Sequence, residues 1–174
     1  MLHSFFATSS SRSLTLLRAV LGTVMFAHGA QKLLGWFGGY GFDATIGFFG
    51  QALGIPAPVA MLVVIAEFFG GLGLISGFLT RLSAAGVAAV MAGAVYFTHL
   101  PNGFFMNWSG QQAGEGYEYH LLVAAMAGAL AVLGGGWASI DSLVAGRLAA
   151  HWRRESSSIN ISGEAAREVA ARKV

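Results

Sequence analysis

The chain contains no cysteine and few charged residues. Without cysteine it forms no disulfide and offers no thiol for redox chemistry, iron–sulfur ligation or zinc binding, so a redox role would need a bound cofactor or a partner protein. Charged residues make up only 10% of the sequence, whereas soluble domains have about 25%. Together with 55% hydrophobic residues, this shortage indicates a single-domain integral membrane protein. The net charge of +2 is too small to favour nucleic acid as a partner.

Four long apolar stretches predict four membrane-spanning helices, since a hydrocarbon core about 30 Å thick requires roughly 20 apolar residues in a helix. The expected spans are Leu14–Leu34, Pro58–Leu79, Leu82–His99 and Tyr119–Leu133. The link at Thr80–Arg81 is too short for anything but a helical hairpin. We therefore expect an all-α, antiparallel four-helix bundle embedded in a lipid bilayer.

This transmembrane domain is expected to occupy residues 14–143, between a short N-terminal segment (1–13) and a polar C-terminal tail (144–174). The first apolar span is too long for the hydrophobic region of a secretory signal. We therefore interpret the N-terminal segment as a short cytoplasmic extension, and the tail as a cytoplasmic appendage.

The distribution of basic residues predicts the orientation in the membrane. The two long links, 35–57 and 100–118, contain no lysine or arginine. Basic residues instead flank the opposite ends of the spans: Arg12, Arg18, Arg81, Arg147, Arg153 and Arg154. We therefore expect a multi-pass protein of the cytoplasmic membrane with both termini cytoplasmic. Arg18 is expected to extend its side chain to the cytoplasmic interface.

Three ionisable residues lie within the apolar spans, where a charge needs a partner, water or a functional role. His28 and Lys32 are four residues apart on the first span, so they are neighbours on one helix face. Glu67 lies near the middle of the second span. With a rise of about 1.5 Å per residue, the depths of His28 and Glu67 differ by about 5 Å. We therefore predict that Glu67 pairs with His28 or Lys32.

Further ionisable residues lie at the predicted outer end of the bundle. His99 ends the third span, and Glu118 and His120 begin the fourth. They are candidates for a shared site with Glu67 and His28, although each also fits an ordinary interfacial position. No HxxxH or ExxH spacing supports a metal centre built from them, and we expect none.

Glycine is abundant, with 25 residues, and in membrane helices it allows backbones to approach closely. In the second span the 100° step per residue places Glu67, Gly70, Gly71 and Leu74 on one face. We therefore expect this face to pack against a neighbouring helix.

Five sequence segments, taken in order, resemble a known family. They are LLRAVLGTVMFAHGAQKLLGWFGGYG, AEFFGGLGLISGFLTRLSA, HLPNGFF, GYEYHLLVAAMAGALAVLGGG and ASIDSL, which extend from Leu14 to Leu143. On these segments the chain resembles the DoxX family of small bacterial and archaeal four-helix membrane proteins. The HG-x-x-K-L, E-x-x-G-G and N-G-F-F elements are specific in combination. His120 is a departure, because family members often have proline after Glu-Tyr.

The resemblance implies quinone-linked redox work in the bacterial cytoplasmic membrane. Some relatives are subunits of thiosulfate:quinone oxidoreductase, others are associated with oxidative stress or quinone detoxification, and many have no assigned activity. By the residue match, His28, Lys32, Glu67 and Glu118 occupy the family's candidate polar positions. We therefore expect a quinone- or small-molecule-binding subunit of a membrane oxidoreductase or oxidative-stress system, with redox proteins as partners.

A quinone needs a proton donor or acceptor at each carbonyl and an apolar channel for its tail. Glu67 and His28 are the candidates for proton exchange and Lys32 for polarising a carbonyl, so these three are the candidate catalytic residues. The candidate binding residues are Trp36, Phe68, His99, Glu118 and His120. Two alternatives stay open: a non-enzymatic assembly or anchoring subunit, and a transporter of a small solute or proton.

Overall fold

The computed structural model describes Phe6 and residues 8–153, and all the regular secondary structure in this part of the chain is helical. The α-helices are α1 (Arg12–Leu34), α2 (Phe42–Leu53), α3 (Ala57–Ser76), α4 (Thr80–Ala94), α5 (Glu118–Leu133) and α6 (140–153). Two short elements extend α4: a π-helical segment, Val95–His99, and a 3-10 turn, Leu100–Asn102. The all-α prediction is confirmed for these residues.

Three helices are long and apolar enough to cross a membrane. They are α1 with 23 residues, α3 with 20, and α4 with its extension to Asn102, also 23. The fourth apolar helix, α5, has 16 residues. The second predicted span continued to Leu79, whereas α3 ends at Ser76. The helix ends there because Gly77 adopts a left-handed conformation, with φ of 70°, at which the chain leaves the helix.

A further helix, α2, lies inside the first long link, where we predicted no span. It begins after Gly41, has Asp43 in its first turn, and ends at Gly54, whose φ is 64°. Its 12 residues are too few to cross a bilayer. It packs mainly on α3 and leaves Phe48 more than half exposed. The first long link is therefore partly helical and joins the end of α1 to the beginning of α3.

Helix α1 packs mainly on α3, and α4 packs on both α3 and α5. Leu21 and Met25 of α1, Leu74 of α3, Val87 of α4 and Leu130 of α5 form part of one hydrophobic core. The predicted packing face of α3 is confirmed, since all four of its residues are buried. Many other apolar side chains of these helices are exposed, as a surface in contact with lipid requires.

The Arg18 side chain is buried, with 2% exposure, so our expectation that it reaches the interface was wrong. Its guanidinium donates to the carbonyl oxygens of Leu74 at 2.5 Å and Ile75 at 2.6 Å, at the end of α3. It also donates to Gly135 at 2.9 Å and Ala138 at 2.6 Å, in the segment after α5. The hydrogen bonds from the guanidinium to carbonyl oxygens at the end of α3 and after α5 therefore outweigh the solvation that the Arg18 charge would gain at the interface.

Candidate ligand cavity

A cavity of about 710 Å³ lies at the end of the molecule where the links 35–57 and 100–118 are found. This volume is within the usual range of about 300–1,000 Å³ for small-molecule sites. Its walls are mainly apolar and come from several elements, including Met25, Phe49, Leu62, Val90, Phe97 and Met106. The lining therefore suits a ring or chain of lipid-soluble character.

An ion pair lies in the cavity wall between α1 and α3. The Lys32 ammonium lies 2.6 Å from Oε2 of Glu67, and the Glu67 side chain is only 6% exposed. The prediction that Glu67 pairs with His28 or Lys32 is confirmed, with Lys32 as the partner. Lys32 has three N–H donors, so it keeps donors for a ligand while it holds Glu67.

The opposite wall carries two histidines and a tyrosine. The rings of His99, at the end of the π-helical segment, and His120, in the first turn of α5, have centroids 4.0 Å apart. Tyr119 lies near two of the cavity's histidines: its ring centroid is 5.4 Å from that of His120 and 6.4 Å from that of His28. The polar side chains of α1, α4 and α5 are thereby brought to one cavity.

The tautomer of neutral His99 follows from its contact with the loop. Nδ1 of His99 lies 2.8 Å from the carbonyl oxygen of Glu115. A carbonyl oxygen only accepts, so Nδ1 must donate to it. In the neutral ring Nε2 then carries a free lone pair, so His99 offers a hydrogen-bond acceptor or a proton-accepting site there.

Two buried polar atoms of this wall have no hydrogen-bond partner among the described residues. They are the hydroxyl oxygen of Tyr119 and Nδ1 of His120, and both residues line the cavity. Leaving a buried donor or acceptor unpaired costs about 1–3 kcal/mol. Both atoms are enclosed by the protein, so a polar ligand or water would pair with them only after the side chain turns toward the cavity.

Two carboxylates form hydrogen bonds that fix the conformation of the link 100–118, which contributes residues to the cavity lining. Oε1 of Glu118 accepts from the backbone N–H of Met106 at 2.9 Å and from Nε1 of Trp108 at 3.4 Å. Oε2 of Glu115 accepts from the backbone N–H of Asn107 at 2.7 Å. These bonds fix the segment from which Met106 reaches the cavity.

Five of the eight predicted site residues line this cavity: His28, Lys32, Glu67, His99 and His120. The other three lie outside its lining. Trp36 is exposed in a short turn after α1. Phe68 packs its ring 5.2 Å from that of Phe26, and Glu118 directs its carboxylate to the loop backbone.

The sequence analysis missed several lining residues, above all Tyr119, Phe48 and Phe49 of α2, and Phe97 of the π-helical segment. A π-helical turn is rare and often occurs at functional sites. Here it precedes Leu100-Pro101, where the proline has no N–H to continue an α-helix. That proline, two residues after the predicted end of the third span at His99, was the available signal.

No group of three or more histidine, aspartate or glutamate side chains with metal-binding geometry occurs in the described part of the chain. His99 and His120 are close, but the Glu67 carboxylate is engaged with Lys32.

Comparison with known proteins gives a family and one informative relative. The DoxX family model matches residues 13–100, which is half of the chain. A Bacillus subtilis (strain 168) protein named "Putative oxidoreductase CatD" is 29% identical over 129 residues, covering 74% of this chain and 84% of that protein. No solved structure matches significantly. The matched residues include α1 from its second residue onward and the whole of α3 and α4, and the chain belongs to the DoxX family.

Proposed function

We propose that this protein is a membrane subunit that binds a quinone, or a lipid-soluble ring of similar size, in the cavity. It would act within a membrane oxidoreductase or oxidative-stress system. The proposal is carried by a largely apolar cavity that has Lys32, His28 and His99 among its lining residues. The oxidoreductase name of the Bacillus subtilis relative supports the reaction class.

A ring with two oxygen atoms would use polar groups from two sides of the cavity. Lys32 supplies N–H donors from one wall, and Tyr119 and His120 supply polar atoms from another. A quinone accepts two electrons and two protons when it becomes a hydroquinone. His28, Glu67 and the histidine pair are the groups placed to exchange protons with such a ring. The electrons would come from a redox partner, since the chain has no cysteine for thiol chemistry.

Replacing Tyr119 with phenylalanine should weaken quinone binding by about three- to tenfold, because it removes one buried hydrogen-bond donor worth about 0.5–1.5 kcal/mol. Binding of menadione and of a short-tailed ubiquinone to protein in mild detergent can be measured by equilibrium dialysis. Tyr96→Phe is the matched control, since Tyr96 is exposed and does not line the cavity.

Equal quinone affinities for Tyr119→Phe and the unchanged protein would contradict contact between this hydroxyl and the ring. Failure of the unchanged protein to bind either quinone would contradict the proposed function. A non-enzymatic assembly or anchoring subunit would then be the better explanation of the polar cluster, since polar side chains also join helices in membranes.

We also propose an antiparallel four-helix bundle of α1, α3, α4 and α5, with both termini cytoplasmic. The Lys32–Glu67 and Arg18–Leu74 contacts support opposite directions for α1 and α3, because the end of each helix contacts the other's beginning or middle. The absence of basic residues from both long links supports the orientation.

The cysteine-free sequence allows a direct test of this topology. Asp43→Cys and Gly110→Cys, at exposed positions in the two long links, should react with a membrane-impermeant maleimide in intact spheroplasts. Arg147→Cys, on the exposed side of α6, should react only after the membrane is permeabilised. Labelling of Gly110→Cys only after permeabilisation would contradict the orientation.

A further inference from the structure

The formal charges of the residues that line the cavity indicate which ligands it favours. Histidines aside, three lining residues in the described part of the chain carry a formal charge: Lys32, Glu67 and Glu115. The single cation is therefore accompanied by two anions. Lys32 is the group that would attract an anionic ligand, and its charge is compensated by Glu67 at 2.6 Å.

The second anion, Glu115, is exposed, and its carboxylate accepts from the Asn107 N–H. The histidines of the cavity do not reverse this balance. His99 and His120 lie with ring centroids 4.0 Å apart, so two imidazolium ions there would repel each other.

We infer that the Lys32–Glu67 pair makes the cavity selective for neutral rings over anionic ones, with Glu67 as the specificity-determining residue. This inference rests on the proposed function, since it concerns which ring enters the same cavity. A neutral carbonyl can accept from a spare N–H of Lys32 while the ion pair stays intact. An anion would compete with Glu67 for Lys32 and leave a buried carboxylate unpaired, which is strongly unfavourable.

Two naphthoquinones of matched size test this selectivity. Menadione carries a methyl group on the ring and is neutral, whereas lawsone carries a hydroxyl there that is ionised at neutral pH. We expect the unchanged protein to bind menadione at least about tenfold more tightly than lawsone. Lawsone methyl ether, which is neutral, should bind like menadione. This comparison requires no mutation, so it does not depend on whether a variant folds.

Replacing Glu67 with glutamine keeps the shape of the side chain and releases the Lys32 charge. The Glu67→Gln variant should therefore bind lawsone about tenfold more tightly than the unchanged protein. The double variant Lys32→Gln/Glu67→Gln has no cation to attract the anion, so it should lose that gain. Asp43→Asn is the matched control, because it removes one carboxylate from an exposed position outside the cavity lining.

The outcomes separate the inference from the proposed function. Equal affinity of the unchanged protein for menadione and lawsone would overturn the inference and leave quinone binding in place. The inference is also overturned if a folded Glu67→Gln variant shows no gain for lawsone. If the unchanged protein binds no naphthoquinone but Glu67→Gln gains lawsone, the charge compensation by Glu67 is upheld and the proposed function fails.

Discussion

Replacing Gly71 with leucine should prevent α1 and α3 from packing and strongly reduce the amount of folded protein recovered in detergent. A Cβ atom built on Gly71 would lie 2.5 Å from the backbone nitrogen of Phe26 and 2.7 Å from its Cα. Backbone atoms cannot rotate away as a flexible side chain can. Even Gly71→Ala should cost about 1–3 kcal/mol of stability, and leucine should cost more.

A glycine of α1 also lies close to the backbone of α3, so a small shift of one helix cannot relieve the clash at Gly71. A Cβ on Gly29 of α1 would clash with the backbone nitrogen of Phe68 and lie 2.7 Å from the carbonyl carbon of Glu67. Any separation of α1 from α3 would therefore move Glu67 relative to Lys32. We expect ligand binding to be lost together with stability.

Gly128→Leu provides the control for this experiment. Gly128 lies within α5, and a Cβ there would meet no atom within 4 Å. The substitution should leave stability unchanged or raise it slightly, because glycine is less favourable than alanine in a helix by about 0.8–1.0 kcal/mol. Thermal unfolding in detergent, followed by fluorescence and size exclusion, measures both variants. Equal Tm values for Gly71→Leu and the unchanged protein would show that the α1–α3 contact is looser than described.

Patterns local to one helix predicted much of this architecture. Hydropathy located the apolar helices, because the bilayer sets their length and composition. The helical period placed Gly71 and Glu67 on one buried face of α3. The comparison of depths brought Lys32 to Glu67 because both helices rise by nearly the same distance per residue.

Features that depend on packing between distant segments were not accessible in this way. The π-helical segment sets where His99 ends up relative to His120, and a hydropathy pattern contains no signal for that register. Helix α2 was missed because a 12-residue segment is too short to be recognised as a membrane span, and it was therefore assigned to the link. The pairing preference of Glu67 for Lys32 rather than His28 likewise follows from the rotation of α1, which the sequence left open.

Arg18 is the strongest example of such a long-range feature, since its four acceptors are 56 to 120 residues away in the sequence. Two of them, Leu74 and Ile75, belong to the last turn of α3, where carbonyl groups have no partner within the helix. The other two, Gly135 and Ala138, belong to the segment that follows α5. Arg18 thus connects three parts of the chain.

Arg18→Met should therefore be among the most destabilising single changes in this protein. It removes the donors of four hydrogen bonds, and each buried carbonyl oxygen left unpaired costs about 1–3 kcal/mol. The Leu74 oxygen keeps one donor, the Gly77 N–H at 3.3 Å. Arg18→Lys should recover only part of the loss, because an ammonium lacks the planar fork that reaches several acceptors at once. Arg147→Met is the control, since Arg147 is exposed on α6. In thermal unfolding in detergent, the control should have the highest Tm, Arg18→Lys an intermediate Tm and Arg18→Met the lowest. Similar Tm values for Arg18→Met and Arg147→Met would show that water replaces the guanidinium at these carbonyls.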